Sequence, residues 1–115
     1  MATIWQQAEE LKDEMVERRR DLHRHPETGW TEFRTASMII GELKNLGYDV
    51  KFGDDVIDEK SMMGVPSEAE LADYMQRAIS EGADPELVKK MAGGKTGIVA
   101  TLKTDKPGKT VALRF

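Results

Sequence analysis

The chain has two histidines, and they stand two residues apart with a glutamate two further on: His23, His25 and Glu27. Imidazole and carboxylate are the side chains that ligate divalent metals and move protons near neutral pH. In a strand, alternate residues share one side, and the three could converge on a single ion. In a helix, residues two apart point in nearly opposite directions and could not. Pro26 argues against a regular strand here, and three donors drawn from five residues would make a cramped chelate. The competing reading is a helix-end corner, in which one imidazole hydrogen-bonds a backbone carbonyl or a carboxylate and Trp30 packs beneath it. The residues alone leave both readings open.

Other candidates are weaker. Asp54, Asp55, Asp58 and Glu59 form a carboxylate cluster without the spacing or the turn glycine of a calcium loop, and read as a solvated acidic loop. Gly93-Gly94-Lys95-Thr96 has the ending of a phosphate loop but lacks the upstream glycine, and it precedes a strand pattern instead of a helix. No Ser, Thr or Lys has a recognisable activating partner, and the chain has no Cys to act as a nucleophile. No residue is therefore assigned as catalytic or as a metal ligand. His23, His25 and Glu27 stand as the weak candidates.

Composition narrows the classes. At 115 residues the chain is at most one domain. A net charge of −4, from 17 basic and 21 acidic residues, argues against nucleic acid and anionic membranes as partners. The single basic run, Arg18-Arg19-Arg20, follows five acidic residues and reads as a helix C-terminus complementing the macrodipole. Without Cys there is no disulfide and no thiolate metal site, which fits a reducing compartment. Gln6, Gln7, Glu9 and Glu10 interrupt any signal-peptide core, and no apolar run reaches transmembrane length. The expected location is the cytoplasm.

Two helical patterns flank the corner. The first spans about Ile4 to Leu22, opened by a Thr3/Gln6 capping box. Its apolar stripe of Ile4, Ala8, Leu11, Met15 and Leu22 is expected in the core, with partner binding as the lesser alternative. The second spans Thr31 to Leu46, with Thr28 or Thr31 as its cap and Gly47 placed for a left-handed C-terminal cap. Tyr48 to Phe52 reads as a strand. Residues 54–94 read as a helical insertion: a capping box at Ser67/Glu70 opens a helix to about Ser80, and Asp84-Pro85 opens a short one to Met91. Thr96 to Thr104 and Thr110 to Phe115 read as strands joined by a Pro107-Gly108 turn, forming an antiparallel hairpin. The fold class is α/β: two N-terminal helices packed on a small mixed sheet, with a helical insertion. Because 111–115 is apolar at alternate positions, the end of the chain is expected to be a truncation within a larger domain.

The stretch Arg20-Asp21-Leu22-His23-Arg24-His25-Pro26-Glu27-Thr28-Gly29-Trp30, with Thr31-Glu32-Phe33 and Thr35, resembles the opening of the aminoacylase-type, metal-dependent amidohydrolases. Thr96 to Leu102 followed by Pro107 to Phe115 is similar to that family's next strands, which normally run on into an Asp-x-Asp segment. The order of Gly53-Asp54-Asp55, Met63-Gly64-Val65-Pro66 and the insertion up to Gly94 is similar to the branch that hydrolyses aminobenzoyl-glutamate. The resemblance implies that residues 1–115 are the N-terminal portion of a catalytic domain, with 54–94 as an insertion. It implies cleavage of the amide of N-acyl or p-aminobenzoyl amino acids such as p-aminobenzoyl-glutamate. It also implies a divalent metal, Mn or Zn, in full-length relatives, held by residues beyond this chain, so that none is expected here and the chain alone is inactive. A small-molecule amide is the implied partner, with homo- or hetero-oligomer assembly open. The alternative reading is an interaction or regulatory module derived from that enzyme, using the first helix or the last strand to bind a partner.

Overall fold

The structure is a computed structural model that describes residues 1–115. It has an α/β fold with five helices and one two-stranded antiparallel sheet. The first helical pattern is divided at Leu11 into α1 (Ile4–Glu10) and α2 (Lys12–Arg24). Thr3 and Gln6 cap α1 reciprocally, as their spacing predicts. Next come α3 (Phe33–Asn45) and β1 (Asp49–Phe52), and, after an irregular acidic loop, α4 (Glu68–Ser80), α5 (Pro85–Lys90) and β2 (Ile98–Thr101).

The core is built on α3. Its buried face of Phe33, Ala36 and Ile40 meets Leu71 and Ala78 of α4, Val88 of α5 and Met91. Val50, Phe52 and Ile98, from the inner face of the sheet, close it on the other side. Apolar residues three and four apart on three helices thus find one another, and their burial is the main stabilising term. Both expected caps in the insertion form: Ser67 with Glu70 on α4, and Asp84 ahead of Pro85 on α5. Residues 54–94 lie between the two strands in sequence, yet they supply five of the eight buried core residues.

Two expectations need correction. The stripe of the first helix is not in the core: no residue of α1 or α2 is buried, and Ile4 is 85% exposed. The helix that reaches the sheet is α3, and α2 meets it through charged side chains. The sheet is also not mixed, and the 96–115 hairpin does not form. β2 pairs with β1 in the register Lys51↔Val99, while residues 102–115 hold no strand and are exposed. The four residues of β2 find a partner already supported by α3, whereas Thr110 to Phe115 has no layer beneath it. A strand without a buried face is marginal in water.

Gly53 ends β1 at φ 68°, where a Cβ would stand 2.5 Å from the Lys90 carbonyl oxygen. The close approach locks the end of α5 to the sheet. Gly53→Ala should lower the unfolding free energy by ~2 kcal/mol through left-handed strain and the backbone clash. Gly29→Ala, where a Cβ meets nothing within 4 Å, should stay within ~0.5 kcal/mol. Urea midpoints of the two variants check this.

Candidate functional site

The corner between α2 and α3 gathers polar contacts from every part of the fold. Near the end of α2, Asp21 accepts two hydrogen bonds from the Arg34 guanidinium, at 2.8 and 3.0 Å. Arg34 Nε donates to the carbonyl of Glu81, the residue that caps α4, at 3.0 Å. Arg77 of α4 donates to the Pro26 carbonyl at 3.1 Å and pairs with Glu81 at 3.0 Å. Two arginines therefore tie the corner to the end of α4. The planar, two-pronged pairing of Arg34 with Asp21 fixes orientation as well as distance.

His25 is where α2 stops, with φ −127° and ψ 62°, outside the α region that a following proline disfavours. Its Nδ1 lies 2.9 Å from the Asp21 carbonyl oxygen. A carbonyl only accepts, so Nδ1 carries the proton. The same nitrogen is 3.3 Å from Asp21 Oδ1. This is the helix-end imidazole of the second sequence reading. His23, on the last turn of α2, is exposed and sits near the negative end of the helix dipole.

Glu27 does what the threonines were expected to do. Its two carboxylate oxygens accept the backbone N–H groups of Arg34 and Thr35, both at 2.8 Å, and the Thr35 hydroxyl at 2.7 Å. These N–H groups are free donors of the first turn of α3, and a negative charge there also suits the dipole. Thr28 and Thr31 instead bond to each other: the Thr31 hydroxyl donates to the Thr28 carbonyl at 2.8 Å and accepts the Thr28 N–H at 3.0 Å. Thr31 is fully buried, which fixes the turn from within.

Trp30 completes the corner in a way its residue type does not suggest. It holds φ 68°, the one non-glycine residue in the chain at positive φ, and its indole N–H donates to the Met63 carbonyl at 2.9 Å. Gly94 packs against it, since a Cβ there would be 2.9 Å from the Trp30 carbonyl oxygen. Glu32 accepts the Thr96 hydroxyl at 2.8 Å. The corner thus also holds the segment at Met63 and the chain leading into β2. A strained tryptophan is a signal that only the folded chain provides.

His23, His25 and Glu27 are close in sequence but are not brought together as a ligand set. His23 points from the helix, His25 serves the end of α2, and both Glu27 oxygens serve α3. No group of three or more His, Asp or Glu in the structure is arranged to hold a metal ion. The residues present do not fit the divalent metal that the family resemblance implies. The shallow cleft beside the corner, lined by Arg34, Ser37, Gly41, Ala83 and Leu87, offers no uncommitted charge from Arg34, which is taken by Asp21 and Glu81.

Comparison with known proteins gives this corner a setting. An indole-3-acetyl-aspartic acid hydrolase of Enterobacter agglomerans is 50% identical over 105 residues, which is 91% of this chain and 24% of that protein. A p-aminobenzoyl-glutamate hydrolase subunit from Escherichia coli K12 is 41% identical over 114 residues, 99% of this chain and 26% of that one. The chain is homologous to the N-terminal portion of the p-aminobenzoyl-glutamate hydrolases and related hydrolases. The crystal structure of an aminobenzoyl-glutamate utilization protein from Klebsiella pneumoniae superposes with a TM-score of 0.88 at 43% identity, over 93% of this chain and 27% of that one. No protein-family model matches the chain. The chain spans about a quarter of the length of the curated relatives it matches.

The electrostatics yield two tests. Hydrogen bonds from Arg34 hold the Asp21 carboxyl below the usual aspartate range, against a smaller opposing cost of desolvation. A folded-state pKa below the unfolded one gives stability that is present above the ordinary aspartate value, ~4, and is lost as pH falls through the folded value. Asp21→Asn should therefore unfold at lower urea than the parent at pH 7. The gap should narrow as pH falls from 4 towards 2, which paired urea titrations would show. Glu27→Ala should cost ~1–2 kcal/mol by uncapping α3, and Glu27→Gln, which keeps one acceptor oxygen, should cost less. Amide exchange at Arg34 and Thr35 would report the same ranking.

Proposed function

We propose that the chain forms the N-terminal portion of an amidohydrolase catalytic domain, with residues 54–94 as its helical insertion. The enzyme built on it cleaves the amide between an aryl or acyl group and an amino acid, of the p-aminobenzoyl-glutamate or indole-acetyl-aspartate type. The observation that carries this reading is the match of almost the whole chain to hydrolases named for those two substrates, at 41% and 50% identity. In this reading the corner is a positioning device. His25 and Glu27 set how α2 enters α3, and neither they nor the exposed His23 take part in bond cleavage. Two relatives are named as one subunit of a hydrolase, which supports assembly with further subunits, homo- or hetero-oligomeric. The metal-dependent, peptidase-like chemistry rests on the family resemblance, and cytoplasmic location on the cysteine-free composition. No helix is long and apolar enough to cross a membrane.

A second reading, an interaction module derived from the enzyme, is favoured by one feature: the uncovered apolar side chains Ile4, Leu11 and Met15.

The test is hydrolysis of p-aminobenzoyl-glutamate and indole-acetyl-aspartate with added Mn²⁺ or Zn²⁺. The 115-residue chain alone should show no turnover above buffer. A chimera in which it replaces the matched portion of the E. coli relative should hydrolyse one of the two. Turnover by the chain alone would refute the reading, and so would a folded chimera that cleaves neither substrate.

A further inference from the structure

α2 and α3 are fastened in opposite sense by Asp21–Arg34 and by Arg18–Glu42 at 3.0 Å. Beyond Glu42, α3 continues for only three residues before Leu46 caps it. In the other direction the first helical pattern continues from Arg18 back to Ile4, about 20 Å at 1.5 Å per residue. α1 and the first turns of α2 therefore overhang the end of α3. The stripe that carries the contacts lower down, through Arg18, Leu22 and His25, continues up the overhang as Ile4, Ala8, Leu11 and Met15. There it is bare, with Leu11 and Met15 51% and 55% exposed. A second uncovered apolar set leaves from the same end of the fold. Thr101 ends β2 opposite Asp49, just after the α3 turn, and Leu102, Val111, Leu113 and Phe115 beyond it are all exposed.

Two occupants can be weighed. A second copy docking stripe to stripe would bury four side chains over about three helical turns. That amounts to a few hundred Å² per partner, roughly, short of the ~800 Å² per partner of a standard stable interface. The relatives offer another occupant. The same backbone arrangement exists inside a chain of which this one covers 27%. We infer that the Ile4–Met15 stripe is the seat of the remaining portion of the hydrolase polypeptide, whether that portion is joined to this chain or separate from it. This inference rests on the proposed hydrolase reading and adds the face through which the two portions meet.

Because the chain has no cysteine, single introduced thiols report the stripe cleanly. Leu11→Cys and Met15→Cys sit on it, and Asp13→Cys sits on the opposite face as control. Alkylation, read by peptide mass, is compared between the 115-residue chain and the chimera with the rest of the E. coli relative. Sites 11 and 15 should react at least tenfold more slowly in the chimera, and site 13 at an unchanged rate. Equal rates at all three sites in the chimera overturn the inference. It is also overturned if the chain alone, at micromolar concentration, sediments as a dimer in which sites 11 and 15 are protected, since the occupant is then a second copy. A chain that stays monomeric with all three sites reactive supports it. An active chimera with unprotected stripe sites sinks this inference and leaves the hydrolase reading standing.

Discussion

The pairing of Asp21 with Arg34 is the constraint on which the rest of the arrangement depends. It joins the end of one helix to the first turn of the next. Through the Glu81 carbonyl, the same guanidinium also reaches the end of α4. Arg34 is largely buried, so its charge had to be matched on the spot, and the two-pronged geometry admits few alternatives. Glu27 then sets where α3 begins by taking the free donors of its first turn. With those two carboxylates in place, the direction of α3 is set, and with it the face that carries Phe33 and Ile40 into the core.

Within this portion of the fold, His25 and Glu27 are held by local hydrogen bonds. The His25 Nδ1–H closes the end of α2, and the Glu27 carboxylate caps α3 with both of its oxygens. The strain at Trp30 belongs to the same structure: the left-handed backbone brings its indole N–H to Met63 and its carbonyl against Gly94. The corner thereby touches residues 54–94 at Met63 and at Gly94.

The packing is uneven along the chain. From Thr31 to Met91 apolar residues converge on one core, and residues 54–94 contribute five of its eight buried side chains against three from α3. Before Met15 and after Thr101 they are exposed, and none is buried. Patterned apolar residues without a covering layer have the arrangement of surfaces built to be covered. The match to hydrolases about four times as long gives that arrangement a physical setting.

The local features were legible in the residues. The boxes at Thr3/Gln6 and Ser67/Glu70, the Asp84-Pro85 start, the end of α3 near Gly47 and the strand before Gly53 all appear where the residues predicted them. Each depends on hydrogen bonds or dihedral limits spanning four or five residues, which a sequence states directly. The resemblance to these hydrolases was legible too, because it rests on several motifs in a fixed order, starting with the string from Arg20 to Thr35. Which apolar stripe is buried, which strands pair and which acid caps α3 emerged only from the packed chain. The stripe of α1 and α2 has the same periodicity as a core helix, and periodicity cannot say whether a second layer lies opposite it. Thr110 to Phe115 reads as a strand by alternation, yet a strand persists only where something packs on its apolar face. Glu27 stands out in the sequence as a possible ligand. That it caps a helix seven residues away follows from how the corner folds back on itself, and spacing does not express that.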